Sequence, residues 1–290
     1  MIEIGLFDNN FEHHGETESL SSFPGFNRYP KHFKYRRNVE CDINLLTDNC
    51  LTLHTPPKGG NIAWLLEPRE VSPLSYHVIE NSEQMYDLVL THDRDLLKKL
   101  GSKGRFYPYL GTWIADKDFN IYNKDHSLSI IYSWKKQTYG HKLRHAIADA
   151  FASKYQIEKF GSAAHTLPQS QKILGLKHYR YSIVVENTWD SIISEKILDC
   201  FLTGAVPIYW GERESIAKFF NPSGVLFFND LASLEKILQD IEKNDVELYE
   251  RMLPDIQMNF DLATKNHVCE DWIWENILKD WVNDRGINND

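Results

Sequence analysis

The sequence predicts an α/β protein made of two doubly wound halves that face one cleft, followed by C-terminal helices. Three observations predict it. Short apolar strands alternate with amphipathic helices along most of the chain. The connections between them are short, as in parallel sheets with crossover helices. The length of 290 residues suits two domains better than one. The polar stretch Ile121–His126 marks the boundary and divides the chain into residues 1–124 and 125–290.

In the first half, Ile2–Phe7 and Cys41–Thr47 read as strands. Asn61–Pro68 is an apolar strand that ends on Glu67-Pro68. Leu74–Gln84 has helical spacing, Tyr86–Asp93 reads as a strand, and Arg94–Gly101 as a helix stopped by glycine. Arg105–Leu110 is a further short strand. The region Phe11–Arg37 is rich in Gly, Pro, Ser, Asn and His and reads as a long loop.

The second half is more regular. Leu128–Ser133 is a strand, and Gly140–Tyr155 is a helix with Leu143, Ile147 and Phe151 on one face. Ile157–Gly161 is a short strand and Tyr181–Asn187 a longer one. Ser191–Gly204 is a helix, Ala205–Gly211 a strand, Glu212–Phe220 a helix and Gly224–Asp230 a strand. Helices follow over Leu231–Asn244, Val246–Phe260 and His267–Asp284.

Composition excludes several classes. The net charge of −9 argues against broad non-specific nucleic-acid binding. A local exception is Lys31–Arg37, KHFKYRR, where Lys31, Lys34, Arg36 and Arg37 alternate with aromatic residues. A short basic run is also the ordinary pattern of a solvated face. The four cysteines form no CxxC pair, and Cys200 falls within an apolar helix, so neither a disulfide framework nor a zinc site is expected. No apolar run approaches the roughly 20 residues of a membrane helix, and the N-terminus does not read as a signal peptide. A soluble, cytoplasmic protein is expected.

In open α/β sheets ligands bind beyond the carboxyl ends of the strands. That rule puts Glu67, His92, Ser133, Glu186 and Asn187 near one cleft. The stretch VVENTWDSIISEK, Val184–Lys196, runs from a strand end into a helix N-terminus. Such a terminus favours anions through its free N–H groups and dipole. Lys196 adds a full positive charge, while Glu195 suits the hydroxyls of a sugar or ribose. Together they suggest a nucleoside diphosphate that carries a sugar.

The stretch YSIVVENTWDSIISEKILDCFLTGAVPIYWG resembles the donor-site signature of the α1,3-fucosyltransferases, glycosyltransferase family 10. Glu186-Asn187-Thr188, Ser194-Glu195-Lys196 and Gly204-Ala205-Val206-Pro207 match successive parts of it. The resemblance is good over about residues 125–245 and loose before that. It implies a GT-B-like fold of two Rossmann-type domains, in a compact bacterial or viral relative without the animal members' membrane anchor. It implies that residues 1–124 bind the acceptor and residues 125–290 the nucleotide sugar. It maps the arginine that contacts the donor diphosphate onto Arg144, and the general base onto Glu67, with Glu70 as the near alternative. Glu186, Asn187, Glu195 and Lys196 would also bind the donor. The sequence departs from the pattern where Ile192 replaces an aromatic residue, where the Glu-Asn loop is about one residue shorter, and at Ser133-Trp134.

The expected reaction is inverting and needs no metal or cofactor beyond the nucleotide sugar, which the resemblance implies is GDP-fucose. Glu67 would deprotonate an acceptor hydroxyl. Arg144, Lys196 and the helix N-terminus near Ser191 would stabilise the departing diphosphate. The D-x-D triplets Asp93–Asp95 and Asp116–Asp118 resemble metal-holding motifs, but Asp93 reads as a helix cap. His13-His14 with Glu16 is a further metal pattern of low specificity. Two rivals differ in kind. One transfers a UDP-pentose or UDP-hexose sugar to hydroxymethylated bases of DNA, held by the basic run. The other is a non-catalytic nucleotide-sugar or glycan-binding protein.

Overall fold

The computed structural model describes residues 1–9, 14–52, 55–108, 111–164, 167–189 and 193–286. The chain divides into two compact units, Met1–Tyr109 with Val268–Asp290, and Leu110–His267.

The first unit is built on six strands: β1 (Ile2–Phe7), β2 (Phe33–Arg37), β3 (Ile43–Thr47), β4 (Gly60–Trp64), β5 (Leu88–Thr91) and β6 (Gly104–Phe106). All pairs are parallel, in the order β2-β1-β3-β4-β5-β6. β3 and β4 are buried along their whole length, as strands covered on both faces are. Helices α1 (Pro73–Ser82) and α2 (Arg94–Leu100) follow β4 and β5. Tyr76, Ile79, Leu96 and Leu100 pack with Leu46, Ala63, Leu65 and Val89 in one core. Asp93 caps α2, accepting from the Leu96 amide at 2.8 Å, as read from sequence. The basic run forms the edge strand β2 rather than loop, because Phe33 and Tyr35 alternate inward against the charged positions.

The second unit has five strands: β7 (His126–Ile131), β8 (Glu158–Phe160), β9 (Tyr179–Val185), β10 (Val206–Trp210) and β11 (Leu226–Phe227). They are again all parallel, in the order β11-β10-β9-β7-β8. Helices α3 (Tyr139–Phe151), α4 (Glu195–Thr203), α5 (Arg213–Ala217) and α6 (Leu231–Asn266) surround the sheet. α6 joins the two helices expected over 231–260 into one, with a break in helical geometry at Asn244. Leu143, Ile147 and Phe151 of α3 bury the expected face against β7 and β9.

The domain boundary differs from the expected 1–124 and 125–290. Residues 111–124 pack with the second unit. There the Thr112 hydroxyl donates to Asp199 at 2.5 Å and the Asn120 amide to the Leu202 carbonyl at 3.1 Å. The chain from Val268 returns to the first unit as α7 (Cys269–Ile273), one π-helical turn and α8 (Lys279–Asp284). Glu270 is the reason. Its buried carboxylate accepts from the Ser19 hydroxyl at 2.7 Å, the Leu20 amide at 2.6 Å and the Ser21 hydroxyl at 2.6 Å. Trp281 lies against Gly60 so closely that a Cβ there would stand 2.7 Å from its ring.

All four cysteines are free thiols, and Cys200 is fully buried. No helix among the described residues is long and apolar enough to cross a membrane.

Candidate functional site

In the second unit the order of strands reverses between β7 and β9. Chain leaving β7 feeds α3 on one side, and chain leaving β9 feeds α4 on the other. A ligand crevice belongs at such a switch point. The residues at these two strand ends are Ser133, Gly140, Arg144, Glu186, Asn187, Glu195 and Lys196.

α3 opens with a capping box, in which Thr138 accepts from the His141 amide at 3.2 Å and His141 answers the Thr138 amide. The Gly140 amide donates to the Asn187 carbonyl at 3.1 Å. This brings the first turn of α3 onto the end of β9. Arg144, one turn further, is buried. Its guanidinium donates to the Val185 carbonyl and, at 2.9 Å, to the Asn187 side chain. Burial pulls the Arg144 pKa down, opposed by Glu186 and Glu195. His141 is pushed down to about 4, first by burial and then by Arg144 and Lys196, so it is neutral at pH 7.

α4 begins at Glu195 rather than Ser191, with Ser194 as its N-cap. Ser191 and Ile192 lie outside the described residues. Glu186 is 1% exposed. It accepts from the Ser194 hydroxyl at 2.6 Å, the Ser194 amide at 3.2 Å and the Tyr209 hydroxyl at 3.1 Å. It therefore braces the cap of α4 from beneath. The Lys196 ammonium lies 3.2 Å from Glu195 and 3.6 Å from Glu186. Glu195 would be raised by burial, but Lys196 and Lys172 overcome that and hold its carboxyl at about 2.

Lys172, Asp199, Thr138 and Tyr209 of this network do not stand out in the sequence. Asp199 lies four residues after Glu195, on the same face of α4, and is fully buried. A charged residue inside the apolar stripe of a helix was the available signal. Exposed aromatic side chains stand nearby. Trp189 is 42% and Tyr139 61% exposed, and both pack on the buried Trp210, at ring distances of 5.0 and 5.4 Å.

In the first unit the strand order reverses between β1 and β3. Asp8, Asp48 and Glu67 follow β1, β3 and β4. Glu67 is half-buried and Glu70 exposed. The buried Asp48 accepts from the Leu66 amide at 3.0 Å and the Glu67 amide at 3.5 Å. Its carboxyl is pushed well above the usual range by burial and by Glu67, against the backbone bonds. His92 is buried and lowered to about 4 by desolvation.

The basic run is largely engaged. Arg36 pairs with Glu3 at 2.9 Å, Arg37 with Asp8 at 3.5 Å and Lys31 with Asp271 at 3.6 Å, while Lys34 is exposed. His14 bonds the Ser22 carbonyl at 2.9 Å, and His13 lies outside the described residues. Among the described residues, no three His, Cys, Asp or Glu side chains are grouped to hold a metal ion.

Comparison with known proteins bears on the second unit most directly. Residues 122–253 match the family model "Glycosyltransferase family 10 (fucosyltransferase) C-term". The chain is 31% identical to the alpha-(1,3)-fucosyltransferase FucT of Helicobacter pylori over 103 residues, which is 34% of this chain and 21% of that protein. A crystal structure of an alpha1,3-fucosyltransferase with GDP-fucose superposes with a TM-score of 0.55 at 14% identity, covering 91% of this chain and 90% of that one. The DNA-modifying enzyme beta-glucosyltransferase superposes with a TM-score of 0.53 at 12% identity, covering 97% and 100%. At these identities the likeness is one of fold, and that fold is GT-B. Over residues 122–253, the stretch that carries β9, α4 and β10, the chain is similar to the C-terminal part of glycosyltransferase family 10.

Proposed function

We propose that the chain is a nucleotide-sugar-dependent glycosyltransferase that moves fucose from GDP-fucose to an acceptor hydroxyl, with inversion and without a metal ion. The observation that carries this reading is the convergence of Arg144, Glu195 and Lys196 with the capped start of α3 at the switch point of the second unit. A diphosphate there meets Lys196 and two helix N-termini. Lys196 exchanges its contacts with Glu186 and Glu195 for phosphate oxygens. Glu195 accepts from sugar or ribose hydroxyls. Glu186 supports the N-cap rather than touching the donor, because Ser194 and Tyr209 occupy its carboxylate. Arg144 aligns the end of β9 and adds positive potential.

In this reading the acceptor belongs to the first unit, and Glu67 takes the proton from its hydroxyl. As the bond to the anomeric carbon forms, the bond to the diphosphate oxygen breaks, through a transition state of oxocarbenium character. Negative charge grows on the leaving group, where Lys196 and the amides of α4 stabilise it. For the rival DNA acceptor, three of the four cations offered for the DNA backbone hold carboxylates that the phosphates would have to displace, and Lys34, the fourth, is exposed.

The test is a melting-temperature panel in EDTA with GDP, GDP-fucose, UDP and UDP-glucose. A ligand that binds only the native state stabilises it by about 2.7 kcal/mol at a hundredfold excess over Kd. GDP-fucose should raise Tm in EDTA, and more than UDP-glucose does. A protein that responds to none of the four is not a nucleotide-sugar enzyme. A response that needs Mn²⁺ or Mg²⁺ rejects the metal-free mechanism.

A further inference from the structure

Lys172 sits in the 3₁₀ turn Gln169–Gly175, between β8 and β9. Its side chain is only 12% exposed. Its ammonium lies 2.6 Å from Asp199 and 3.6 Å from Glu195, and 5.1 Å above the ring of Trp113. A lysine is buried at a cost of several kcal/mol unless it is paired. Here two carboxylates, one helical turn apart on α4, receive it together.

The arrangement is fixed from behind. The other Asp199 oxygen accepts from the Thr112 hydroxyl at 2.5 Å and the Trp113 amide at 2.8 Å. Asp199 is therefore held on both sides, and it holds Lys172. Only Glu195, at the mouth of this chain of contacts, borders the proposed donor site. Its second cation, Lys196, is the group that must turn to the diphosphate when a donor binds. Lys172 has no such task and stays with Glu195. The charged groups facing Glu195 are Lys172 from the turn, Lys196 and Asp199 from α4, and Arg144 from α3.

We propose that Lys172 is a positioning residue of the donor site, which fixes the Glu195 carboxylate so that it accepts hydrogen bonds from the hydroxyls of the transferred sugar, the part of the donor that GDP lacks. The proposal rests on the reading of Glu195 as a ligand of the donor. The hold on the Glu195 carboxyl, at about 2, is consistent with it. Without Lys172, and with Lys196 turned to phosphate, burial would drive Glu195 upward, and its protonated form is a poorer acceptor.

The experiment is calorimetry with GDP and with GDP-fucose, from pH 8 to pH 5, on the parent, Glu195→Gln, Lys172→Met and the double variant Lys172→Met/Asp199→Asn. The double variant removes both buried charges and keeps an oxygen for Thr112 and Trp113, so it separates misfolding from lost positioning. The parent's preference for GDP-fucose over GDP is the reference at each pH, because the terminal phosphate of free GDP itself takes up a proton at about pH 6. Lys172→Met and the double variant should lose about tenfold of that preference at pH 7 and more at pH 5, with GDP affinity within about twofold of the parent. If Glu195→Gln lowers the preference while both Lys172 variants keep the parent's value at every pH, Lys172 is not a positioning residue. If Glu195→Gln matches the parent, or the parent binds neither ligand, the donor-site reading itself fails and the inference falls with it.

Discussion

Gly140 and Glu186 meet backbone to backbone: a Cβ on Gly140 would stand 1.8 Å from the Glu186 carbonyl oxygen and 2.7 Å from that of Asn187. The first turn of α3 and the end of β9 approach as closely as they do because residue 140 has no side chain. In most helices Gly→Ala stabilises by about 0.5–1 kcal/mol. Gly140→Ala should do the reverse and cost on the order of 3 kcal/mol, since backbone must move. Urea unfolding checks it, and a stabilised variant would mean that the two elements are further apart.

Lys196→Ala should lower turnover about 10²–10³-fold at saturating donor by removing charge from the leaving group. The fold should survive, because Glu186 keeps its bonds to Ser194 and Tyr209. Steady-state rates beside a melting curve separate the two effects. Near-parental turnover would reassign Lys196 to a surface ion pair.

Arg144→Ala should weaken GDP binding and lower stability together, because the guanidinium holds Val185 and Asn187 as well as adding charge. A buried charge-assisted brace of this kind is worth about 2–4 kcal/mol. Calorimetry with GDP and a thermal melt of the same variant measure both. Normal GDP affinity in a destabilised variant would confine Arg144 to architecture.

Glu67→Gln keeps the shape of the side chain but cannot take a proton at neutral pH. Donor affinity should be unchanged and transfer depressed by about 10² or more. GDP-fucose calorimetry with a transfer assay reads both. A full transfer rate would move the base to Glu70 or another carboxylate of the first unit.

The buried His141 gives the second unit a pH dependence. Its pKa falls from the ordinary 6.5 to about 4 in the folded protein, so its stabilising contribution is full above pH 6.5 and is lost as pH falls toward 4. His141→Gln should flatten this part of the stability profile by on the order of 2 kcal/mol. Melting temperatures between pH 4 and 7 test it. An unchanged slope would place the titration at His92, which is lowered in the same way.

Most strands and their parallel order were legible because β1, β3, β4, β5, β7, β9 and β10 are apolar runs bounded by turn residues, with a helix pattern between several of them. The donor-site residues Glu195 and Lys196 were legible because the motif that carries them is contiguous. Lys172 was not, since its partners Glu195 and Asp199 are more than twenty residues away and no local pattern marks it. Asp48 was hidden by the strand it ends, and its relation to Glu67 exists only through the pairing of β3 with β4. The strand β2 was read as loop because its two inward aromatics are too short a run to stand out from the basic residues around them. The return of Val268–Asp290 to the first unit depends on Glu270 meeting Ser19–Ser21 across almost the whole chain, a relation that periodicity does not encode.

That return orders events during synthesis. The second unit, Leu110–His267, is an uninterrupted insertion within the first. Its sequence is complete before Val268 is added. That of the first unit is not, and the serine and backbone donors of Ser19–Ser21 wait for the carboxylate of Glu270 and the glycine notch at Gly60 waits for Trp281. The sequence of the proposed donor half is thus finished first and that of the acceptor half last. A fragment ending at residue 267 would hold the whole sequence of the second unit but an N-terminal sheet without Glu270 and Trp281 to cover it.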